Sequence, residues 1–266
     1  MKIRDVELFE PGVINLINSQ KFVAIRISGG IDSAILCHII LKYFPHIELL
    51  PFTFFNKLRP SAINSVNNVM RQLSVLNPNN KLMTHRIAFF DTTLPYIRVN
   101  DSGGLKQSPK DALQRQYIRD LFDEYNGDLN LIFSGESLNP PANIQAELNM
   151  DGHFLKYRNE IISDVLLKYT YNNEYKYEYR PFINYTKKQI SEVCKELGLM
   201  ETLFPYTETC ESVPRQYNDI YTHKYGITYT TPGVEPCQCC WPCREKFWAY
   251  GVFDFNTPVR VKDLIK

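Results

Sequence analysis

Long apolar runs are missing from this chain of 266 residues: none approaches the roughly twenty consecutive apolar positions that a helix needs to cross a bilayer. The opening MKIRDVELFEPGV also lacks an apolar core followed by a small-residue cleavage site. A cytoplasmic protein with no membrane partner is therefore expected. Excess charge is missing too. The 30 Lys and Arg residues against 29 Asp and Glu leave a net charge of +1, too little for a broad basic surface on nucleic acid, although a local basic patch is compatible with it.

Several familiar catalytic patterns are absent as well. Neither G-x-x-x-x-G-K-[ST] nor G-x-G-x-x-G occurs, which excludes a Walker loop and the dinucleotide fingerprint. His38, His46, His85, His153 and His223 show no H-E-x-x-H or other metal spacing, and no G-x-S-x-G follows a strand to head a Ser-His-Asp triad. Cysteine, by contrast, is present and unevenly placed. Cys37 and Cys194 fall in apolar, helix-like segments, whereas Cys210, Cys237, Cys239, Cys240 and Cys243 gather near the C-terminus. An odd total with four residues packed into 237–243 points to metal binding or thiolate chemistry in a reducing compartment, not to a disulfide framework.

Strands and helices alternate along the chain. Phe22 to Ile27 is short, β-branched and nearly all apolar, as a strand covered on both faces requires. The next segment, IDSAILCHIILKYF, carries apolar residues at helical spacing up to Pro45 and reads as an amphipathic helix. Further strands are predicted over 47–55, 84–90 and 129–133, and helices over 61–77, 110–125 and 186–197. Pro51 inside the second strand predicts an edge or a bulge. Residues 91–109 read as a loop over the site. Residues 157–169 read as a helix, and the Tyr- and Asn-rich 170–180 shows no clear period. The alternation predicts a doubly wound, mostly parallel sheet of the Rossmann type. An α/β domain over 1–200 carries a substrate-facing insertion at about 135–180, and 201–266 form a C-terminal zinc-binding lobe.

Chemistry concentrates at two places. Ser28-Gly-Gly-Ile-Asp-Ser33 joins the first apolar strand to its helix. Gly29 and Gly30 let the backbone turn and approach an anion, the N–H groups opening the helix point at it, and Ser28 and Ser33 add hydroxyl donors. Asp32 is placed to cap the helix or to hold Mg²⁺. The second place is Cys237, Cys240 and Cys243, spaced C-x2-C-x2-C, with Cys210 upstream in TETC. Four thiolates close a tetrahedral Zn²⁺ site; an iron–sulfur cluster or a redox thiol pair are the competing readings. Cys239 breaks the spacing and is the expected non-ligand.

The motif S-G-G-x-D-S resembles the signature of the PP-loop ATP pyrophosphatases, the adenine nucleotide α-hydrolase-like superfamily. The resemblance implies that Ser28, Gly29, Gly30, Asp32 and Ser33 surround the pyrophosphate of ATP while an acceptor oxygen is adenylated. Many members dimerise, which makes a homodimer one implied arrangement. Taken together, PF at 181–182, TKKQI at 186–190, TETC ending at 210 and CQCCWPCREKFWAY at 237–250 are similar to the 7-cyano-7-deazaguanine synthase branch, which serves queuosine biosynthesis. That resemblance implies an ATP-dependent C–N ligase. It would activate the carboxylate of 7-carboxy-7-deazaguanine, release pyrophosphate and AMP, and use ammonia to form an amide and then a nitrile. Lys187 then falls at the phosphates, and Cys210, Cys237, Cys240 and Cys243 fall on zinc. Gln189 stands where that branch has glutamate. Arg244 and Lys246 either face the substrate or neutralise the thiolates.

Elsewhere the wording departs from that branch. FSGESLNPPAN replaces its glycine-rich segment, leaving Glu136 as a candidate catalytic carboxylate with an exposed loop carboxylate as the plain alternative. FFNKLRP offers Asn56 and Arg59 to nucleotide or substrate, with Phe54 and Phe55 either flanking adenine or packing in the core. Other acceptors for the same ATP chemistry stay open: a tRNA thiolase, a lysidine-type modifier, or a ligase of another small molecule or a protein terminus. A thiolase would need a catalytic cysteine pair outside a closed zinc site, and Cys37 and Cys194 are expected in packed helices. A non-catalytic nucleotide-binding zinc module is the remaining reading.

Overall fold

The strand that precedes the phosphate turn lies at the centre of the molecule. In the computed structural model, which describes residues 1–56, 61–90, 109–125, 127–148, 165–171, 174–210, 221–222, 228–229, 236, 238 and 240–254, the chain opens with a small antiparallel pair, β1 (Lys2–Ile3) and β2 (Val6–Glu7), and helix α1 (Pro11–Asn18). Then come β3 (Phe22–Arg26), α2 (Ile31–Tyr43), β4 (Glu48–Asn56), α3 (Ser61–Leu76), β5 (Arg86–Phe90), α4 (Pro109–Glu124) and β6 (Leu131–Phe133). The second half holds α5 (Ala142–Glu147), β7 (Leu166–Tyr171), β8 (Glu174–Tyr179), α6 (Lys187–Glu196), α7 (Leu199–Thr202), the short pair β9 (Tyr221–Thr222) and β10 (Thr228–Tyr229), and α8 (Trp241–Tyr250).

Six strands form one sheet in the order β5-β4-β3-β6-β8-β7, all parallel except β7 at the edge. The sheet is thus mostly parallel and doubly wound. Side chains alternate across β3 with period two. Val23 and Ile25 join the core beneath α1, α2, α3, α6 and α8, whereas Phe22 and Ala24 join the smaller core beneath α4. Strand order reverses between β3 and β6, and the crevice outside their carboxyl ends is where such sheets bind ligands.

Some local readings change, and of the two alternatives at Pro51 the bulge is the one found. Helix α2 is not amphipathic in place: Ser33 to Leu41 are all buried, because the sheet and neighbouring helices enclose it on every side. Pro51 lies in an interior strand, and the ladder accommodates it. Leu49 bridges Leu82 while Phe52 pairs with Arg86, so three steps on β4 face four on its neighbour. The extra residue is a bulge opposite the missing N–H. The helix expected over 157–169 is corrected at its end, where 166–169 belong to β7; its earlier part lies outside the described residues. Where 170–180 reads as having no clear period, Tyr175, Tyr177 and Tyr179 recur at period two and lie in β8.

Buried His38 on α2 gives a test of the core. The Asn77 amide meets its Nδ1 at 3.3 Å, and burial, aided by nearby Lys42, pushes its pKa down from 6.5 to about 4. The fold therefore refuses a proton that the unfolded chain accepts below about 6.5. The stability contributed by neutral His38 is complete above that pH and is lost as pH falls through the window toward 4. Urea midpoints are expected to drop between pH 7 and pH 5, with a shallower drop in His38→Gln.

Candidate active site and metal centre

The SGGIDS turn is built by its own side chains. The Ser28 N–H donates to Ser33 Oγ at 3.2 Å, the two serine hydroxyls lie 3.2 Å apart, and the Gly30 N–H donates to Ser28 Oγ at 3.3 Å. Gly29 has φ of +80°, a left-handed conformation that suits glycine, and Gly30 is the N-cap of α2. The first turn of α2 therefore stands at the switch point, with the positive end of the helix toward the crevice.

The loop after β6 presses directly on this turn. A Cβ added at Gly135 would stand 2.7 Å from the Ser33 nitrogen and 2.8 Å from its Cα. These are backbone atoms, so relief requires moving the phosphate turn itself. Gly135→Ala is expected to cost about 1–3 kcal/mol by overpacking and to weaken nucleotide binding in the same protein. Thermal melts with a nucleotide titration check both effects.

Asp32 and Lys187 come together. Lys187 occupies the first turn of α6, which is fixed by a capping box: the Thr186 hydroxyl accepts from the Gln189 N–H, and Gln189 Oε1 accepts from the Thr186 N–H. Glutamine serves this cap as glutamate would. The Lys187 side chain is only 4% exposed, with its Nζ 3.6 Å from Asp32 Oδ2 and 3.2 Å from Glu245 Oε2 on α8. A buried lysine at the unfavourable end of a helix is thereby held between two carboxylates. Burial and nearby Asp32, Cys194 and Glu245 hold the Tyr250 hydroxyl well above the usual phenol range.

Glu136 lies between two arginines while a third of its side chain stays exposed. Arg26 at the end of β3 approaches its Oε1 at 3.7 Å, and Arg180 just beyond β8 approaches its Oε2 at 3.4 Å. Arg26 also lies 5.2 Å over the Phe54 ring. Phe54 packs against Phe52 and Tyr117, and Phe55 against Phe89, so both phenylalanines serve the packing between strands and helices.

Three cysteines meet beside the turn. The sulfurs of Cys210, Cys240 and Cys243 lie within 4.8 Å of one another, and all three residues are buried. Tetrahedral zinc with Zn–S near 2.3 Å sets sulfurs about 3.8 Å apart, so these donors fit a single thiophilic ion after small adjustments. Cys237, Cys239, Arg59, His153, His223 and residues 91–108, where a loop is expected, lie outside the described residues. The Cys210 segment is tied down by Asp254, whose carboxylate accepts from the N–H groups of Thr209 (2.8 Å) and Cys210 (2.9 Å). Lys246 neither faces the crevice nor sits loose beside the thiolates. It is fully buried, pairs with Asp254, donates to Thr207 Oγ1 at 3.0 Å and lies 4.2 Å over the Phe204 ring. One residue ahead of the Thr209–Cys210 pair, the Glu208 N–H donates to the Gly29 carbonyl at 2.9 Å, and Ser65 donates to the Glu208 carboxylate.

Cys37 and Cys194 are poor nucleophiles. Burial pushes the Cys37 thiol far up and the Cys194 thiol up to about 12, so neither supplies a thiolate at neutral pH. No helix among the described residues is long and apolar enough to cross a membrane.

The fold and site define a doubly wound α/β protein with a serine- and glycine-built turn at the switch point and a three-cysteine cluster near it. No protein-family model and no curated protein sequence matches the chain. Among solved structures it is similar to the U34-tRNA thiolase NcsA from Methanococcus maripaludis, with its [4Fe-4S] cluster, at 14% identity and a TM-score of 0.43 over 73% of this chain and 64% of that one. The chain thus spans less than two thirds of the thiolase's length. It is also similar to Candida glabrata FMN adenylyltransferase. With FMN and AMPCPP bound, the match has 11% identity and a TM-score of 0.35 over 94% of this chain and 75% of that one. With FAD and pyrophosphate bound, it has 12% identity and a TM-score of 0.34 over 74% and 55%. These likenesses are too slight to carry fold or activity, which rest on the strands, loops and sulfurs described above.

Proposed function

We propose that this chain is an ATP-cleaving enzyme of the PP-loop type, which transfers AMP to an acceptor oxygen and releases pyrophosphate. The observation that carries the reading is the SGGIDS turn at the switch point with Lys187 buried against its Asp32. The α2 N-terminus, Ser28 and Ser33 hold the β- and γ-phosphates. Asp32 holds Mg²⁺, which supplies charge neutralisation when bound. Lys187 stabilises the charge that builds on the departing pyrophosphate. Glu136, fixed by Arg26 and Arg180, faces the acceptor. Cys210, Cys240 and Cys243, with Cys237 as the fourth ligand, hold Zn²⁺; the sulfur spacing supports a single ion, since thiolates around a four-iron cluster stand farther apart.

Two acceptors follow. The resemblance at 181–190 and 237–250 supports the carboxylate of 7-carboxy-7-deazaguanine, amidated by ammonia toward the nitrile. A tRNA base that receives sulfur is the second; the contact between Glu208 and Gly29 sets the cysteines near the phosphate turn, and this acceptor requires that they hold an iron–sulfur cluster in place of a closed zinc site.

The test is product analysis of ATP turnover in two parallel mixtures, one with 7-carboxy-7-deazaguanine and ammonia, the other with tRNA and a sulfide donor. AMP and pyrophosphate that depend on one acceptor identify it. ADP and phosphate in either mixture would contradict the proposed bond cleavage. Metal analysis separates the cofactors: zinc near one per chain supports the single ion, whereas iron with acid-labile sulfide supports the cluster and the second acceptor.

A further inference from the structure

Two independent connections join the cysteine cluster to the phosphate turn. The first runs through α8. Cys240 is its N-cap and Cys243 lies in its first turn, so one ion bound to both sulfurs fixes the start of the helix. Glu245 follows Cys243 by two residues, about 200° around the helix. It therefore points away from the sulfurs and toward α6, where its carboxylate meets Lys187 at 3.2 Å. Lys187 in turn meets Asp32 of the phosphate turn at 3.6 Å. The second connection runs through the Cys210 segment, where the Glu208 N–H donates to the carbonyl of Gly29.

These side chains leave little room for slack. Glu245 is fully buried and Lys187 nearly so. A shift of the first turn of α8 must therefore move the Glu245 carboxylate or leave a buried charge poorly matched, at a cost that water cannot relieve. Helix α6 packs on α8 along this contact, with Ala249, Tyr250, Ile190, Val193 and Cys194 in one core cluster. Rigid packing of this kind transmits a displacement instead of absorbing it.

We infer that metal occupancy of the cysteine site and nucleotide binding at the phosphate turn are thermodynamically linked, with Glu245 as the positioning residue that carries the link. The inference rests on the reading of SGGIDS as an ATP site. The bound ion holds α8 so that Glu245 presents Lys187 to the phosphates; nucleotide, by engaging Lys187 and the turn, favours the same placement of α8. Linkage is reciprocal, so each ligand raises the affinity of the other by one common factor.

The experiment uses the full chain, Zn²⁺ and α,β-methylene-ATP with Mg²⁺. Nucleotide affinity is measured by calorimetry on zinc-loaded and zinc-stripped protein, and zinc affinity by competition with a chromogenic chelator with and without nucleotide. The expected result is about a fivefold or larger tightening, within the range usual for coupled sites, and the same factor in both directions. In Glu245→Gln, which keeps the size of the side chain and its acceptor oxygen, zinc content is expected to stay unchanged while the factor falls below about twofold. If stripping unfolds the wild-type chain, zinc affinity with and without nucleotide carries the comparison. A wild-type factor near one, or a full factor retained in Glu245→Gln, overturns the linkage and leaves the ATP reading intact. No nucleotide binding to the zinc-loaded wild type defeats the ATP reading itself.

Discussion

Lys187→Met is expected to slow ATP cleavage by about 10²–10³-fold, the usual cost of removing one preorganised donor from developing negative charge. Two consequences distinguish this from the loss of a surface lysine. Lys187 is buried between Asp32 and Glu245, so its removal leaves two carboxylates facing one another in a poorly hydrated site. The variant should therefore also melt at a lower temperature, and added Mg²⁺ should recover part of that loss by binding at Asp32. Lys187→Arg is not expected to restore the rate, because a planar guanidinium needs more room and directs its donors differently. Single-turnover rates, with melts over a Mg²⁺ series, check all three statements.

The second large effect is on stability. Asp254→Ala removes the partner of fully buried Lys246 and the acceptor for the N–H groups of Thr209 and Cys210. Breaking a buried ion pair from one side costs about 3–5 kcal/mol, most of it for the charge left behind. The cysteine segment loses its tether in the same step, so zinc content should fall with stability. Asp254→Leu combined with Lys246→Met is expected to recover much of the stability, since neither charge then remains buried, but not the zinc, since the Cys210 N–H groups still lack their acceptor. Urea denaturation of Asp254→Leu, Lys246→Met and the double variant, with metal analysis on each, measures both terms. A loss in the double variant equal to the sum of the two single losses would show that the pair contributes no coupling.

Legibility in the sequence followed the range of the interactions concerned. Features fixed within a few residues could be read directly. SGGIDS after a β-branched run marks a strand, a turn and a helix by itself, and Thr186 with Gln189 marks the start of α6. Sequence separation hid the rest. Arg26, Glu136 and Arg180 come from three strand ends that meet only because β3, β6 and β8 are neighbours in the sheet. Glu245 and Lys246 stand side by side in a charged stretch, and both are fully buried because Lys187 and Asp254 from other segments pair with them. Lys246 was expected at the substrate or the thiolates, and its true partner lies eight residues on. Gly135 stands in the loop-like stretch FSGESLNPPAN with no signal of its own. Its requirement is one of space against the backbone of Ser33, which no local pattern encodes. Tyr175, Tyr177 and Tyr179 did carry a local signal, but the edge strand that pairs with them made it recognisable as part of the sheet.

The central claim is that the turn from Ser28 to Ser33 holds the phosphates of ATP beside Lys187. A crystal structure of the zinc-loaded chain with α,β-methylene-ATP and Mg²⁺ tests it most directly. The account predicts the β- and γ-phosphates on the N–H groups that open α2, Lys187 within hydrogen-bonding distance of a phosphate oxygen, and the α-phosphorus turned toward Glu136. Phosphates bound elsewhere, with the turn and the Lys187 pairs to Asp32 and Glu245 unchanged, would contradict it.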